Sequence, residues 1–337
     1  MAASPEFEFH CNSFSLLPLQ TTSSATLAKL LSSTPLQSLS CYDTAVFLRQ
    51  FARLQDKGEL PWARNSRIKA VDALVAHMST LMQGCRPIDA SMAMWAVTKL
   101  KCASPDFLLQ CAAAVLRNAA AASDQDIATV SWAIGCAKGQ HGLSQLLQQL
   151  EPAACTRLSS LRSQSLALLC WGFSASQLPA PKLMLLLPNY HILPTLSSRA
   201  IAMVAWAASK QTTLLRLNFQ GEVAHSSAML VSRLALQVSS QIGSMMSRDV
   251  ALLAWSVAHT AASSPELRIL DRTAPFLEAV YAWSAANASQ LSGLDTVHVV
   301  WVLSGTFSRL PPPLISALRN ALDPGDCPLS DVNEILT

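Results

Sequence analysis

Charge is scarce in this chain. Only 13% of its 337 residues are Asp, Glu, Lys or Arg, about half the usual share. Glycine (11 residues) and tyrosine (3) are also few, which argues against a β-rich fold and against a Gly-rich phosphate loop. No apolar run nears the roughly 20 residues of a membrane span; the longest extends from Ala200 to Ala208. The nine cysteines (Cys11, Cys41, Cys85, Cys102, Cys111, Cys136, Cys155, Cys170, Cys327) include no C-x-x-C pair. They read as small buried hydrophobes in a reducing, non-secretory compartment, not as a disulfide frame or a zinc site. The seven histidines show no metal spacing, and no G-x-S-x-G, H-E-x-x-H or Walker-type run is present. The expectation is therefore a protein that is not an enzyme, with no cofactor, no metal and no small-molecule substrate.

Apolar residues, by contrast, make up 51% of the chain, and its mean hydropathy is +0.30. They recur in a phrase best seen from Ser247 to Ala258. Ser247 reads as an N-cap, Asp249 places a carboxylate in the first turn, and Ala251 and Trp255 lie four apart on one helical face. The phrase returns at Trp95, Trp132, Trp171, Trp206 and Trp301, with separations of 37, 39, 35, 49 and 46 residues along the series. Four before each Trp stand Ser91, Ala128, Ala167, Ala202, Ala251 and Val297. Six before stand Asp89, Asp126, Ser165, Ala200, Asp249 and Asp295. Ten after stand Pro105, Gly142, Pro181, Arg216, Pro265 and Pro311. Proline is favoured at a first helical position, so a second helix is expected to open there. Agreement at several offsets across six segments marks a helix–turn–helix repeat.

The segment from Cys41 to Ala52 fits the pattern with Arg49 in the Trp slot, and reads as a degenerate first unit followed by a helix over about Ala63–Met82. Later second helices are expected near Pro105–Ala122, Gly142–Leu150, Pro181–Pro188, Glu222–Ile242, Pro265–Ala286 and Pro313–Leu322. The fold class is thus all-α, an α-solenoid (a right-handed superhelix) of about seven degenerate repeats over residues 41–322. Residues 1–40 are rich in Ser and Thr, with Lys29 the only Lys or Arg. They read either as an organelle-targeting leader or as a frayed segment ahead of a helix near Thr26–Ser33. Residues 323–337 read as a polar tail.

An acidic residue, a small residue and a Trp in one helix, then a Pro-rich helix start ten residues on, resembles the octotricopeptide repeat and the related repeats ahead of RAP domains. Pro105-Asp106-Phe107, Pro181-Lys182-Leu183, Pro265-Glu266-Leu267 and Leu310-Pro311-Pro312-Pro313-Leu314 occupy the second-helix start. The resemblance covers roughly Cys41 to Leu322. It implies an α-solenoid that binds single-stranded RNA, with sequence or structure selectivity, in organellar RNA maturation, stability or translation. It also implies a chloroplast or mitochondrial location; a cytoplasmic one is the alternative.

A net charge of +3 permits nucleic acid as a partner without demanding it. Arg53, Lys99, Lys210 and His259 lie four past the Trp slot, and Arg162, Arg199 and Arg248 lie at first-helix starts. Together they are the expected RNA-binding residues, contacting phosphates along one edge. The competing reading gives these cations to helix dipoles and solvent. The six Trp residues (Trp95, Trp132, Trp171, Trp206, Trp255, Trp301) are expected to be buried repeat core rather than stacking platforms. Two and three before each Trp the residues are mostly apolar, such as Leu168/Leu169 and Leu252/Leu253. Such side chains cannot read base edges and favour the alternative function, a protein-interaction scaffold or structural subunit of an organellar complex.

Overall fold

The computed structural model describes Leu27 and residues 33–59, 64–102, 104–137, 142–191, 193–218 and 220–321. Most of the expected leader, the helix proposed at Thr26–Ser33 and the tail lie outside them. Every regular element among the described residues is helical. The chain divides into two compact units, one ending at Ser160 and one beginning at Leu161. The first holds α1 (Cys41–Asp56), α2 (Arg64–Leu81), α3 (Pro87–Lys99), α4 (Pro105–Arg117), α5 (Asp124–Cys136) and α6 (Leu143–Cys155). The second holds α7 (Ser163–Ala175), α8 (Pro181–Leu186), α9 (Ser198–Leu217), α10 (Gly221–Val238), α11 (Ser247–Ser263), α12 (Ile269–Arg272), α13 (Ala274–Asn287), α14 (Gly293–Ser304) and α15 (Pro312–Ala321).

In each unit the helices form two layers. Within the first, α1 packs on α3 and α3 on α5, while α2 packs on α4 and α4 on α6. Within the second, α7 packs on α9, α9 on α11 and α11 on α14; α8, α10, α13 and α15 follow one another in the other layer. First helices therefore meet first helices, and the residue four before the Trp explains how. Ser91, Ala128, Ala167, Ala202 and Ala251 are all buried, and their small side chains let neighbouring backbones approach. The apolar residues two and three before each Trp are largely buried too, Met92, Ala93, Leu168, Leu169, Met203, Val204 and Leu253 among them. Burial of each large apolar side chain stabilises by about 1.5–3 kcal/mol.

The acidic residue six before the Trp is the third residue of its helix. Its carboxylate has a definite task there, because the first-turn N–H groups lack partners within the helix. Asp43, Asp126 and Asp295 each meet a Ser N-cap (Ser40, Ser123, Ser292), which accepts from the Asp backbone N–H. At Asp43 and Asp126 the carboxylate returns the bond to the cap's own N–H, closing a capping box. Asp89 is instead held by Arg86, with two bonds of 2.9 Å.

Three expectations need correction. The N-cap of α11 is Met246, not Ser247, which is the first helical residue. The second helix after Trp255 does not run unbroken from Pro265. A 3₁₀ turn at Pro265–Leu267 ends at Arg268 in the left-handed region (φ 50°), and short α12 precedes α13. That conformation interrupts any α-helix. The six Trp residues, finally, are not uniformly core. Trp95 and Trp132 are 3% and 1% exposed, Trp171, Trp206 and Trp255 are half-buried, and Trp301 is 40% exposed. In the second unit Ala167, Ala202 and Ala251, four before Trp171, Trp206 and Trp255, are buried while the indoles themselves keep part of their surface in solvent.

Candidate nucleic-acid interface

The fold itself consumes much of the chain's small stock of cations. Lys99 Nζ lies 3.7 Å from the Asp56 carboxylate, across the α1–α3 contact. Arg199, at the start of α9, donates to the buried Asp249 of α11 over 2.5 Å. Arg216 pairs with Glu266. In the second-helix layer, arginines reach back to the repeat before, within the same unit. Arg117 donates to the Met82 carbonyl (3.1 Å), and Arg157 donates to the carbonyls of Ala119, Ala120 and Ala122. Arg233 donates to the Pro188 carbonyl. Those acceptors lie at or just past helix C-termini, where carbonyls lack internal partners and positive charge is favoured.

Of the seven cations expected to touch RNA, Arg53, Arg162 and Arg248 have no ion pair or side-chain hydrogen bond among the described residues. Arg162 and Arg248 are exposed and Arg53 is half-buried. Lys99 and Arg199 are engaged by carboxylates, as above. Lys210 and His259 are brought together on the ring of Trp255. Lys210 Nζ stands 4.9 Å from the ring centroid, a cation–π contact. The His259 ring stacks on the same indole at 4.5 Å with an interplanar angle of 27°.

This cluster belongs to a longer row. Trp171 of α7 and Trp206 of α9 stack at 6.3 Å and 24°. Lys210 stands one turn beyond Trp206. Trp255 of α11 in turn meets His298 of α14 at 6.0 Å, and His298 lies one turn before the exposed Trp301. Burial dominates the electrostatics. It lowers Lys210, whose ammonium has no carboxylate within bridging range among the described residues. His259 is pushed down to about 4, by burial first and then by the Lys210 ammonium, against a hydrogen bond to the Ser209 backbone. His298 is lowered as well, chiefly by burial. Near pH 7 His259 is thus a neutral ring rather than a phosphate-binding cation, and its Nδ1 is buried without a hydrogen-bond partner.

No protein-family model matches the chain, and no curated protein is significantly similar to it.

Function must be read from the site alone. No group of His, Cys, Asp or Glu among the described residues is placed to hold a metal ion, and no described helix is long and apolar enough to cross a membrane. A shallow depression between α11, α12 and α14 is lined by Ala258, Pro265, Ile269, Trp301 and Val302, with the Arg268–Asp271 pair at its edge. Fixed spacing from a small residue predicts burial of all six Trp residues and does not reveal the aromatic row, which depends on how neighbouring helices pack. Lys210 and His259 stand one turn after a Trp and His298 one turn before one, but Lys99 holds the same place after the sealed Trp95, so the offset alone does not single out the row.

Proposed function

We propose that the chain binds single-stranded RNA through positive charge left over after the fold's own needs are met. The reading extends to the fold class, an α-solenoid of the octotricopeptide type, a right-handed superhelix working in organellar RNA maturation, stability or translation. The observation that carries the proposal is the sorting of cations. Arg86, Lys99, Arg117, Arg157, Arg199, Arg216 and Arg233 have protein partners. Arg162 and Arg248 stand exposed at the starts of α7 and α11, and Lys210 lies on the Trp face of α9 between them, none in an ion pair among the described residues. Unpaired cations on successive first helices suit a regularly charged polymer, since phosphate contacts set position and affinity.

The test is a salt titration of single-stranded RNA binding by the intact chain. Affinity should fall steeply with salt, the slope following the number of phosphates neutralised. The double reversal Arg162→Glu with Arg248→Glu should weaken all sequences alike and flatten the slope by about two. An absence of binding at low salt, or an affinity indifferent to salt and reversal, ends the proposal. A second reading, a protein-interaction scaffold, draws support from the exposed Trp301 in the depression beside α12. Under that reading a protein partner copurifies with the chain and is lost on Trp301→Asp, with no RNA required.

A further inference from the structure

Two thiols of the first unit meet at the joint between its first two repeats. Cys41 is the first residue of α1, and Cys85 links the 3₁₀ turn after α2 to Arg86, the N-cap of α3. Helices α1 and α3 pack side by side, and their starts lie together. The Arg86 guanidinium stands 5.6 Å from the centre of the Tyr42 ring, so the residues next to the two cysteines touch. The Cys41 thiol donates to the carbonyl of Leu81, the last residue of α2, over 3.4 Å. The chain then turns at Met82–Gly84, where the Cys85 N–H donates back to the Met82 carbonyl. That turn brings Cys85 back beside Cys41. The Cys85 thiol is pushed well above the ordinary thiol range, by burial first, then by a hydrogen bond and a charge interaction with Cys41, with Asp89 adding and Arg117 opposing.

Access to the two is unequal. Cys41 is half-buried, Cys85 is 3% exposed, and Cys111 of α4 is wholly buried. Cys111 is raised too, by burial first and then by Cys85, which it neighbours. An oxidant arriving from solvent meets Cys41 first, and oxidation follows exposure as well as thiolate character. Cys85 lies outside any helix, in extended conformation (φ −68°, ψ 135°). The adjustment that an S–S bond of about 2 Å requires therefore falls on a joint, not on a packed helix.

We propose that Cys41 and Cys85 form a modification site: with hydrogen peroxide they close a reversible disulfide that staples the first repeat to the second. The Cys41 sulfur attacks peroxide and the O–O bond breaks. A sulfenic acid forms, and the departing hydroxide carries off the Cys41 proton as water. The Cys85 sulfur then attacks the Cys41 sulfur. The S–O bond breaks, and the leaving hydroxide takes the Cys85 proton as a second water. The two thiols are oxidised to one disulfide while one peroxide is reduced to water. Burial keeps Cys85 protonated and slow toward a free oxidant, but a sulfenic acid held beside it reacts at the high effective concentration of an intramolecular step. A dithiol reductant restores both thiols by exchange, which suits a disulfide that is transient in a reducing compartment. This site goes beyond the RNA reading and stands whether or not the chain binds RNA.

The test treats the intact, reduced chain with about one equivalent of hydrogen peroxide under native conditions. Remaining thiols are then blocked with N-ethylmaleimide, and linked peptides are mapped by mass spectrometry. The expected product is a Cys41–Cys85 link that forms ahead of any other pair and disappears on treatment with dithiothreitol. Cys85→Ser should lose the link and leave Cys41 as a sulfenic acid that dimedone traps. Cys41→Ser should lose it and leave Cys85 as a free thiol at the same dose. A wild-type map with both thiols unlinked, with Cys41 carried on to the sulfinic acid, or with Cys85 joined to Cys111 instead, would overturn the proposal. The wild-type map needs no variant, so it decides the matter even if Cys85→Ser fails to fold.

Discussion

Trp132 and Trp301 hold the same repeat position and should respond very differently to truncation. Trp132 is sealed between neighbouring elements at 1% exposure, so Trp132→Ala should cost about 3–5 kcal/mol in urea unfolding. Trp301, 40% exposed, should cost less, about 2 kcal/mol; a loss as large as that at Trp132 would refute the burial pattern. His259 makes a second prediction at this scale. In the unfolded chain it titrates near 6.5, whereas in the fold it titrates near 4. Between those values the unfolded state binds the extra proton, so stability rises with pH across the window. The contribution is complete above about pH 6.5 and is lost as pH falls toward 4, by about 3 kcal/mol. His298 adds to it in the same direction. Denaturant midpoints measured from pH 4 to 7.5 on wild type and His259→Gln check this; the variant should flatten the curve. None of this was legible in the sequence. Periodicity places a Trp on a helix face, but whether that face is covered depends on which neighbour packs over it.

The helix starts were more legible. Prolines at Pro105 and Pro181 open α4 and α8 as their spacing implies, and the acidic residue six before the Trp proves to be the third residue of each first helix. Local rules suffice there because capping is settled within one turn. They fail where a distant side chain takes part. Asp249 serves Arg199 from fifty residues away, a partnership no window of sequence displays, and Ser247 is left without the N-cap role its type suggests. Asp249→Ala should therefore be the costlier substitution, about 3 kcal/mol because it strands the Arg199 guanidinium. Asp295→Ala should cost about 1 kcal/mol for a half-exposed cap partner. Equal losses in thermal or urea unfolding would mean that the ion pair contributes nothing. Gly142, the N-cap of α6 at φ 93°, gives a further case. A Cβ there would sit 3.1 Å from Leu109 Cδ2 in a backbone conformation that L-residues avoid, so Gly142→Ala should destabilise by about 1–2 kcal/mol.

Across the whole molecule, the described residues form two units that each hold a core of their own. In repeat proteins stability is close to a sum of local terms. Trp132→Ala should accordingly lower hydrogen-exchange protection over residues 41–160 and leave residues 161–321 nearly unchanged; a uniform loss along the chain would show a single cooperative body instead. One link inside each unit has a consequence for how such a chain changes over time. Ser91 of α3 donates to Asp126 of α5 over 2.5 Å, and Arg199 of α9 does the same for Asp249 of α11. Each of these helix starts is thus completed by the repeat before it. A repeat deleted, duplicated or transplanted as a sequence block would leave a donor behind on one side and, on the other, a carboxylate that has lost one partner (Asp126, which keeps Ser123) or its ion pair (Asp249). The interchangeable part of this protein is therefore the seam between two repeats, and recombination that respects seams should be tolerated where recombination at repeat boundaries is not.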